Sequence, residues 1–171
     1  MTHWPHVFRG ARWDFTRPLV MGVLNVTPDS FSDGGLLDSI DAVLHRAEAM
    51  LEAGADCLDI GGESTRPGAP AVDADEETRR VVPVLEALTK RFETPLSVDT
   101  CKALVAKRAV EAGAEIVNDV SGGRFDEDML TEVSRLDVTY VCGHVSADSL
   151  IKVHQTKTAS ASSVASELES R

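Results

Sequence analysis

Polar residues recur at one position in the sequence pattern, the carboxyl end of each short apolar segment. They are Asn25, Asp59 with Glu63 to Arg66, Asp99, Asn118 with Asp119, and His144. Carboxyl ends of parallel strands meet at one edge of a sheet or one mouth of a barrel, so we expect these side chains on one face. A fold does not require a polar residue at every strand end, so the set predicts a functional site.

The first two strand ends offer ligands for a metal and an anion. The side-chain carbonyl of Asn25 is a hard oxygen donor of the kind that Mg²⁺ takes, with water and phosphate oxygens filling its shell. Ser64 and Thr65 carry hydroxyls beside Arg66, whose guanidinium can grip an anion in a bidentate fork. Two plainer interpretations stay open: Asn25 turns the chain before Pro28, and Arg66 is a solvated loop residue.

The third and fourth strand ends offer groups that could bind a heterocycle. Asp99 follows Leu96 and Val98, so it should end a buried strand, where a carboxylate needs a partner. A ring edge with adjacent N–H donors, such as a 2-aminopyrimidinone, would supply two hydrogen bonds. Asn118 could read the same ring from the neighbouring strand, and strand alternation points Asp119 to the opposite face. The alternative for Asp99 is a cap on the helix that follows.

Composition and charge exclude several classes of protein. Lys plus Arg is 17 and Asp plus Glu is 28, giving a net charge of −11, which repels nucleic acid and anionic membranes. No signal peptide opens the chain, and no apolar run approaches the ~18 residues of a membrane span. Three cysteines lack metal-site spacing, so we predict a reduced, cytoplasmic protein in which Cys142 packs in the core.

The hydrophobic pattern alternates between short strands and amphipathic helices. Strands are predicted at 19–26, 56–60, 96–99, 115–120 and 138–144, and helices at 39–53, 75–92, 102–112 and 127–136. Pro83 should kink or split the second helix. Segments 52–62 (EAGADCLDIGG) and 111–123 (EAGAEIVNDVSGG) repeat one β/α unit. The pattern predicts one α/β domain over 1–171 with a parallel sheet, in which 146–171 form a weakly ordered tail or begin a fifth helix.

Four motifs, in order along the chain, resemble those of the dihydropteroate synthases, which are pterin-binding enzymes. They are MGVLNVTPDSFSDGG at 21–35, GADCLDIGGESTRPG at 54–68, SVDT at 97–100 and VNDVSGG at 117–123. The resemblance covers residues 18 to about 144. It implies a TIM-type (β/α)₈ barrel, of which this chain carries about the first five β/α units.

The resemblance also implies an activity and roles for named residues. Enzymes of this family join a dihydropterin pyrophosphate to p-aminobenzoate, giving dihydropteroate and pyrophosphate. Asn25 would hold Mg²⁺ with the pyrophosphate, and Thr65, beside Ser64, would contact the pyrophosphate-bearing substrate. Asp99 and Asn118 would bind the pterin ring. The loops bearing Phe31 and Arg66-Pro67 would fold over p-aminobenzoate, as mobile lids do.

The sequence departs from the family in extent. A complete barrel needs eight strands and typically ~250 residues, whereas five strands are predicted here. The family's later pterin-binding Asp, Lys-bearing segment and Arg-x-His motif are not found. Two other interpretations therefore stand beside the synthase, which would act as a homodimer if the barrel were complete. One is a non-catalytic or inactive pterin-binding homologue, and the other is a pterin-binding methyltransferase domain, against which the segment from Asn25 to Gly35 argues.

Overall fold

The computed structural model describes residues 6–8, 11–13, 15–26, 36–64 and 71–145. Residues 146–171, for which a weakly ordered tail or a helix start is expected, lie outside the described residues. The chain opens with a two-stranded antiparallel sheet of β1 (His6–Phe8) and β2 (Ala11–Trp13). The sequence pattern did not predict this pair, because three-residue strands give no measurable alternation.

The main sheet confirms the predicted parallel α/β architecture. Its five strands lie in chain order and pair in parallel: β3 (Met21–Asn25), β4 (Cys57–Gly61), β5 (Leu96–Asp99), β6 (Ile116–Asp119) and β7 (Thr139–Cys142). The helices that alternate with them are α1 (Leu36–Glu52), α2 (Ala74–Arg91), α3 (Ala103–Glu111) and α4 (Met129–Val133). Sequential parallel strands with a helix between each pair are the construction of a (β/α) barrel wall.

The two faces of this sheet differ in the kind of side chains they carry. One face packs against the helices and forms the buried core. Its side chains occupy alternate positions along the strands and include Leu24, Ile60, Val98 and Val117. On the opposite face burial varies between strands: Val23 of β3 is 50% exposed, whereas Asp59 of β4 and Ser97 of β5 are 3% and 0% exposed. The helix-packed face therefore supplies the apolar core, and the second face is left to carry the polar side chains.

The repeated segment at 52–62 and 111–123 forms the same turn twice. Gly54 and Gly113 follow helices α1 and α3 with φ of 100° and 110°. The Ala55 N–H donates to the Met50 carbonyl at 2.9 Å, and the Ala114 N–H to the Ala109 carbonyl at 3.0 Å. Both pairs are helix-ending bonds of the Schellman type, for which glycine suits the left-handed position.

Three local expectations were wrong. At Pro83 a kink or a split is expected, and the split is wrong, because residues 74–91 form one helix that runs through Pro83. The fourth helix covers only Met129–Val133, shorter than the predicted 127–136. Cys142 is exposed rather than packed in the core, since it lies on β7, an edge strand of the described sheet. No helix among the described residues is long and apolar enough to cross a membrane.

Candidate functional site

Three of the predicted site residues lie in one row across the carboxyl ends of the strands. Asn25 of β3 is in register with Gly61 of β4, Gly61 with Asp99 of β5, and Asp99 with Asn118 of β6. Neighbouring strands are about 4.8 Å apart, so the row spans four adjacent strands on one side of the sheet. The chain thus brings together groups that are separated by more than 90 positions in sequence.

Gly61 leaves a gap within this row. A β-carbon placed on Gly61 would lie 3.3 Å from Asn25 Oδ1 and 3.6 Å from Asp99 Oδ2. The two side-chain oxygens therefore flank the same space from neighbouring strands. Any side chain at position 61 would fill that space and separate Asn25 from Asp99.

The carboxyl group of Asp99 lies in an acidic, largely buried setting. Burial, followed by the negative charges of Asp59, Glu77, Asp119 and Glu63, raises the pKa of Asp99 to about 7. None of the hydrogen bonds among the described residues involves its side chain. A buried carboxyl that meets no donor among the described residues is in the state expected of a group whose partner is a ligand.

Asp99 does not cap helix α3, which was the alternative interpretation. The N-cap position of α3 is Lys102, and its side chain makes no capping bond. The Ala103 N–H donates instead to Asp126 Oδ2 at 2.8 Å, and the Lys102 N–H to Thr100 Oγ1 at 3.2 Å. The backbone N–H groups of Lys102 and Ala103 at the start of α3 therefore bond to Thr100 and Asp126, and Asp99 is not used as a cap.

Asn118 is held by a second polar layer, formed by Asp59 and Ser97, which lies two residues closer to the amino ends of the strands than the row. Its amide Nδ2 donates to Asp59 Oδ2 at 3.0 Å. Asp59 and its register partner Ser97 are both buried, with 3% and 0% exposure. Burial raises the pKa of Asp59, while the neighbouring Ser97 hydroxyl and the Asn118 amide oppose the rise. Asp59 Oδ1 and Ser97 Oγ nevertheless lack a hydrogen bond of ordinary geometry to any described residue.

Asp119 faces away from the row, as strand alternation predicts. It is fully buried and accepts hydrogen bonds from the Ser121 N–H at 2.8 Å, the Gly123 N–H at 2.7 Å and the Tyr140 hydroxyl at 2.7 Å. These bonds fix the turn after β6 and tie it to β7. Asp119 therefore organises the strand end that bears Asn118 rather than facing a ligand.

A partly buried ion-pair cluster lies beside the row. Lys102 Nζ donates to both Glu63 and Glu77, and the Glu77 side chain is only 1% exposed. Burial opposes the charge on Lys102, but its bonds to the two carboxylates outweigh burial and raise its pKa. We call Lys102, Glu63 and Glu77 the lysine latch, because they join α3, α2 and the loop that follows β4.

Glu63 of the lysine latch and Arg80 of α2 together hold both ends of the loop after β4. Glu63 Oε1 accepts from the Val72 N–H at 3.2 Å, and Arg80 Nη1 donates to the Gly62 carbonyl at 2.9 Å. Ser64 follows directly and is half-buried. Four predicted site residues lie outside the described residues: Thr65, Arg66 and Pro67 of this loop, and Phe31 of the loop after β3.

The described part of the site is rich in oxygen donors and poor in cations. No group of three or more His, Cys, Asp or Glu side chains in that part could hold a metal ion by itself. Asn25 Oδ1 and Asp99 Oδ2 nevertheless flank one space over Gly61. The Asn25 oxygen is a hard ligand of the kind that suits Mg²⁺, which needs few protein ligands when water and phosphate oxygens complete its shell.

Sequence reasoning gave no role to the second polar layer or to the lysine latch. The strand-end pattern includes Asp59 as one member of a set and does not include Ser97. One available signal was the alternation in LSVD, which places Ser97 on the same face as Asp99. Nothing local marks Lys102, because its partners Glu63 and Glu77 lie 39 and 25 positions away.

Comparisons with known proteins agree with this geometry. The family model described as pterin binding enzyme matches residues 21–171. A dihydropteroate synthase of Bacillus subtilis is 54% identical over 128 residues, covering 75% of this chain and 45% of the relative. None of the first curated relatives is matched over more than 45% of its length, so the chain spans less than half of them.

Two solved structures share both fold and sequence with the chain. The dihydropteroate synthase of Xanthomonas albilineans with 4-aminobenzoic acid superposes with a TM-score of 0.73 at 50% identity, covering 80% of this chain and 50% of that one. The Yersinia pestis enzyme in a sulfonamide drug complex gives a TM-score of 0.84 at 40% identity, covering 98% and 61%. These neighbours are TIM barrels, so the described sheet and helices form part of a (β/α) barrel wall.

Proposed function

Since this chain belongs to the family of pterin-binding enzymes, we propose that it carries the pterin site of a dihydropteroate synthase. The reaction would join (7,8-dihydropterin-6-yl)methyl diphosphate to p-aminobenzoate, giving dihydropteroate and pyrophosphate. The observation that carries the proposal is the row of Asn25, Gly61, Asp99 and Asn118 across four strand ends. Relatives named for this activity support it.

In this proposal Asp99 and Asn118 bind the pterin ring. The Asp99 carboxylate has two acceptor oxygens and no described protein donor, which suits adjacent ring N–H groups. Asn118 lies on the next strand, in register with Asp99. When the bond between the pterin methylene carbon and the pyrophosphate oxygen breaks, positive charge spreads over the ring. The Asp99 carboxylate would stabilise that charge in a buried setting.

The other substrate groups would meet the loops at the same barrel mouth. Ser64, Thr65 and Arg66 would contact the pyrophosphate, and Phe31, Arg66 and Pro67 would cover p-aminobenzoate. Asn25 would hold Mg²⁺, which when bound neutralises charge on the departing pyrophosphate. The amine nitrogen of p-aminobenzoate then forms the new bond to the methylene carbon and releases a proton. The reaction requires no protein nucleophile.

The proposed partners are therefore these two small molecules. A net charge of −11 disfavours nucleic acid and anionic membranes at long range. The sulfonamide bound by the Yersinia pestis relative suggests that the same drug class competes for the p-aminobenzoate position here. A cytoplasmic location and a homodimer built through a complete barrel remain predictions from the sequence.

Product formation tests the proposal. The purified 171-residue chain is incubated with dihydropterin diphosphate, p-aminobenzoate and Mg²⁺, and dihydropteroate is measured by chromatography. A synthase gives product that requires both substrates. Pterin binding without product would favour the non-catalytic pterin-binding homologue, and neither binding nor product would refute both interpretations. The Asp99→Asn variant serves as the control for background chemistry.

Pterin affinity is expected to rise with pH through the titration of Asp99. The pKa of this carboxyl is raised to about 7 by burial and by Asp59, Glu77, Asp119 and Glu63. Only the ionised form presents acceptors on both oxygens and no donor, so the binding-competent fraction grows from about a tenth at pH 6 to about nine-tenths at pH 8. Calorimetry with pterin, in EDTA and without diphosphate, should show a gain of roughly tenfold between these pH values.

The matched control for the pH series is the Asp99→Asn variant, which lacks the titrating carboxyl. Its residual affinity should change little between pH 6 and 8. A parent chain whose affinity is flat over the same range would contradict the assignment of Asp99 as the ionised pterin ligand.

A further inference from the structure

The orientation of the Asn118 amide is set by Asp59. The Asn118 amide nitrogen donates a hydrogen bond to Asp59 Oδ2 at 3.0 Å. Asp59 is 3% exposed and lies two residues before Gly61, one layer below the row. With Nδ2 directed down to Asp59, the Oδ1 atom of Asn118 is turned away from that layer.

A second acceptor competes for the same amide. Asp99 is the register neighbour of Asn118, one strand away, and it receives no hydrogen bond from a described residue. An amide freed from Asp59 could turn its Nδ2 toward the Asp99 carboxylate. That bond would occupy an oxygen that a ligand needs, and it would present the wrong side of the amide.

We propose that Asp59 is a positioning residue for the pterin site, which holds the Asn118 amide in one orientation and keeps it from blocking Asp99. The inference rests on the proposed function, because the role has meaning only if Asn118 and Asp99 read a ligand. It assigns Asp59 no contact with the ligand.

The proposal specifies the pattern that the site recognises. Because Nδ2 donates to Asp59, Asn118 presents its carbonyl oxygen to the ligand, and Asp99 presents its carboxylate oxygens. The row then offers acceptors on two adjacent strands, so it favours a ring edge that carries N–H groups over one with bare ring nitrogens. Buried polar groups that meet the wrong partner reject a ligand strongly.

A double-mutant cycle tests this role. Pterin binding is measured by calorimetry at pH 8, above the pKa of Asp99, for the parent, Asp59→Ala, Asn118→Ala and the double variant. Asp59→Ala should weaken binding about tenfold in the parent, the effect of one hydrogen bond to a charged group. In the N118A background the same change should cost less than about twofold, because its effect passes through Asn118. Equal losses in both backgrounds would overturn the proposal.

Two conservative variants guard against a loss caused by damage to the fold. Asp59→Asn keeps the size of the side chain and one acceptor oxygen, so it should bind within about threefold of the parent. Ser97→Ala removes the other polar group of the layer, which makes no bond to Asn118, and should bind within about twofold. A tenfold loss in Ser97→Ala would show that the layer affects binding without a bond to Asn118 and would overturn the specific role of Asp59.

Hydrogen exchange of the Asn118 side chain separates this inference from the proposed function. In the ligand-free parent, one Nδ2 hydrogen should exchange slowly, and Asp59→Ala should accelerate it at least about tenfold by breaking its bond. Unchanged exchange would overturn the positioning role even if pterin binds. Accelerated exchange in a chain that binds no pterin would instead show that the proposed function has failed.

Discussion

Replacing Asp99 with asparagine is expected to weaken pterin binding at least about a hundredfold at pH 8, measured by calorimetry. The ionised carboxylate presents acceptors on both oxygens, whereas an asparagine amide presents one acceptor and one donor. A ring edge with two adjacent N–H groups would then meet an N–H of the protein. Two buried N–H groups that face each other, each without an acceptor, cost a few kcal/mol of binding free energy, which corresponds to about two orders of magnitude in affinity.

The same variant is expected to be more stable than the parent. Asp99 holds its proton more tightly when folded, with a pKa of about 7, than in the unfolded chain. Its ionisation therefore lowers the free energy of unfolding increasingly as pH rises from about 4 to about 7, and by a constant amount above that. Urea denaturation at pH 8 should show Asp99→Asn gaining about 1 kcal/mol or more.

Loss of binding together with a gain in stability is the signature of a group retained for function. The control is Asp137→Asn, an exposed residue just before β7, at the opposite end of the strands from the row. It should leave both affinity and stability within error of the parent. An Asp99→Asn variant that binds pterin normally, or that unfolds more easily than the parent, would contradict the account of Asp99.

Replacing Lys102 with methionine is expected to lower the free energy of unfolding by about 3 kcal/mol at pH 7. Methionine keeps the length of the side chain but removes the ammonium group that pairs with Glu63 and Glu77. Glu77 is 1% exposed and would remain as a buried charge without a cation.

The matched control is Lys107→Met on the same helix. Lys107 pairs with Glu132 at 3.1 Å, but its side chain is 44% exposed, so solvent screens the pair and its loss should cost less than about 1 kcal/mol. Both variants are compared by urea unfolding followed by circular dichroism. Equal stabilities for Lys102→Met and Lys107→Met would mean that the lysine latch does not anchor the loop after β4.

The sequence pattern predicted the architecture because each strand and helix has a local hydrophobic pattern of its own. Strand LSVD is confirmed at Leu96–Asp99 without error, and the other main strands lie within one or two residues of their predictions. The strand-end rule then placed Asn25, Asp99 and Asn118 on one face, because register in a parallel sheet is fixed by which side chains must be buried. What they bind is still a prediction.

The errors came where tertiary contacts outweigh local preference. Pro83 removes one backbone donor from α2, yet Val81, Val84 and Leu85 around it are buried, and their packing keeps the helix continuous. Helix α4 starts later than predicted. The Asp126 carboxylate accepts from the Asp128 N–H at 3.0 Å and from the Ala103 N–H at 2.8 Å, and these bonds favour a turn before the helix. No sequence window contains both Asp126 and Ala103.

The site was incomplete for the same reason. The Asp59 carboxylate and the Asn118 amide are 59 positions apart, so their hydrogen bond could not be inferred from spacing. The lysine latch likewise joins a loop and two helices. Sequence identifies the groups that face a ligand through their position at strand ends, whereas the groups that orient them emerge only when the strands are aligned.

Chemical-shift mapping tests the central claim most directly. The ¹⁵N-labelled chain is titrated with pterin, and backbone amide shifts are followed by NMR. We predict the largest changes at Asn25, Gly61, Asp99 and Asn118, with little change at the amino ends of the same strands. Saturating pterin that leaves these four amides unmoved, or moves residues scattered over the sheet instead, would contradict a single pterin pocket at the carboxyl ends of β3 to β6.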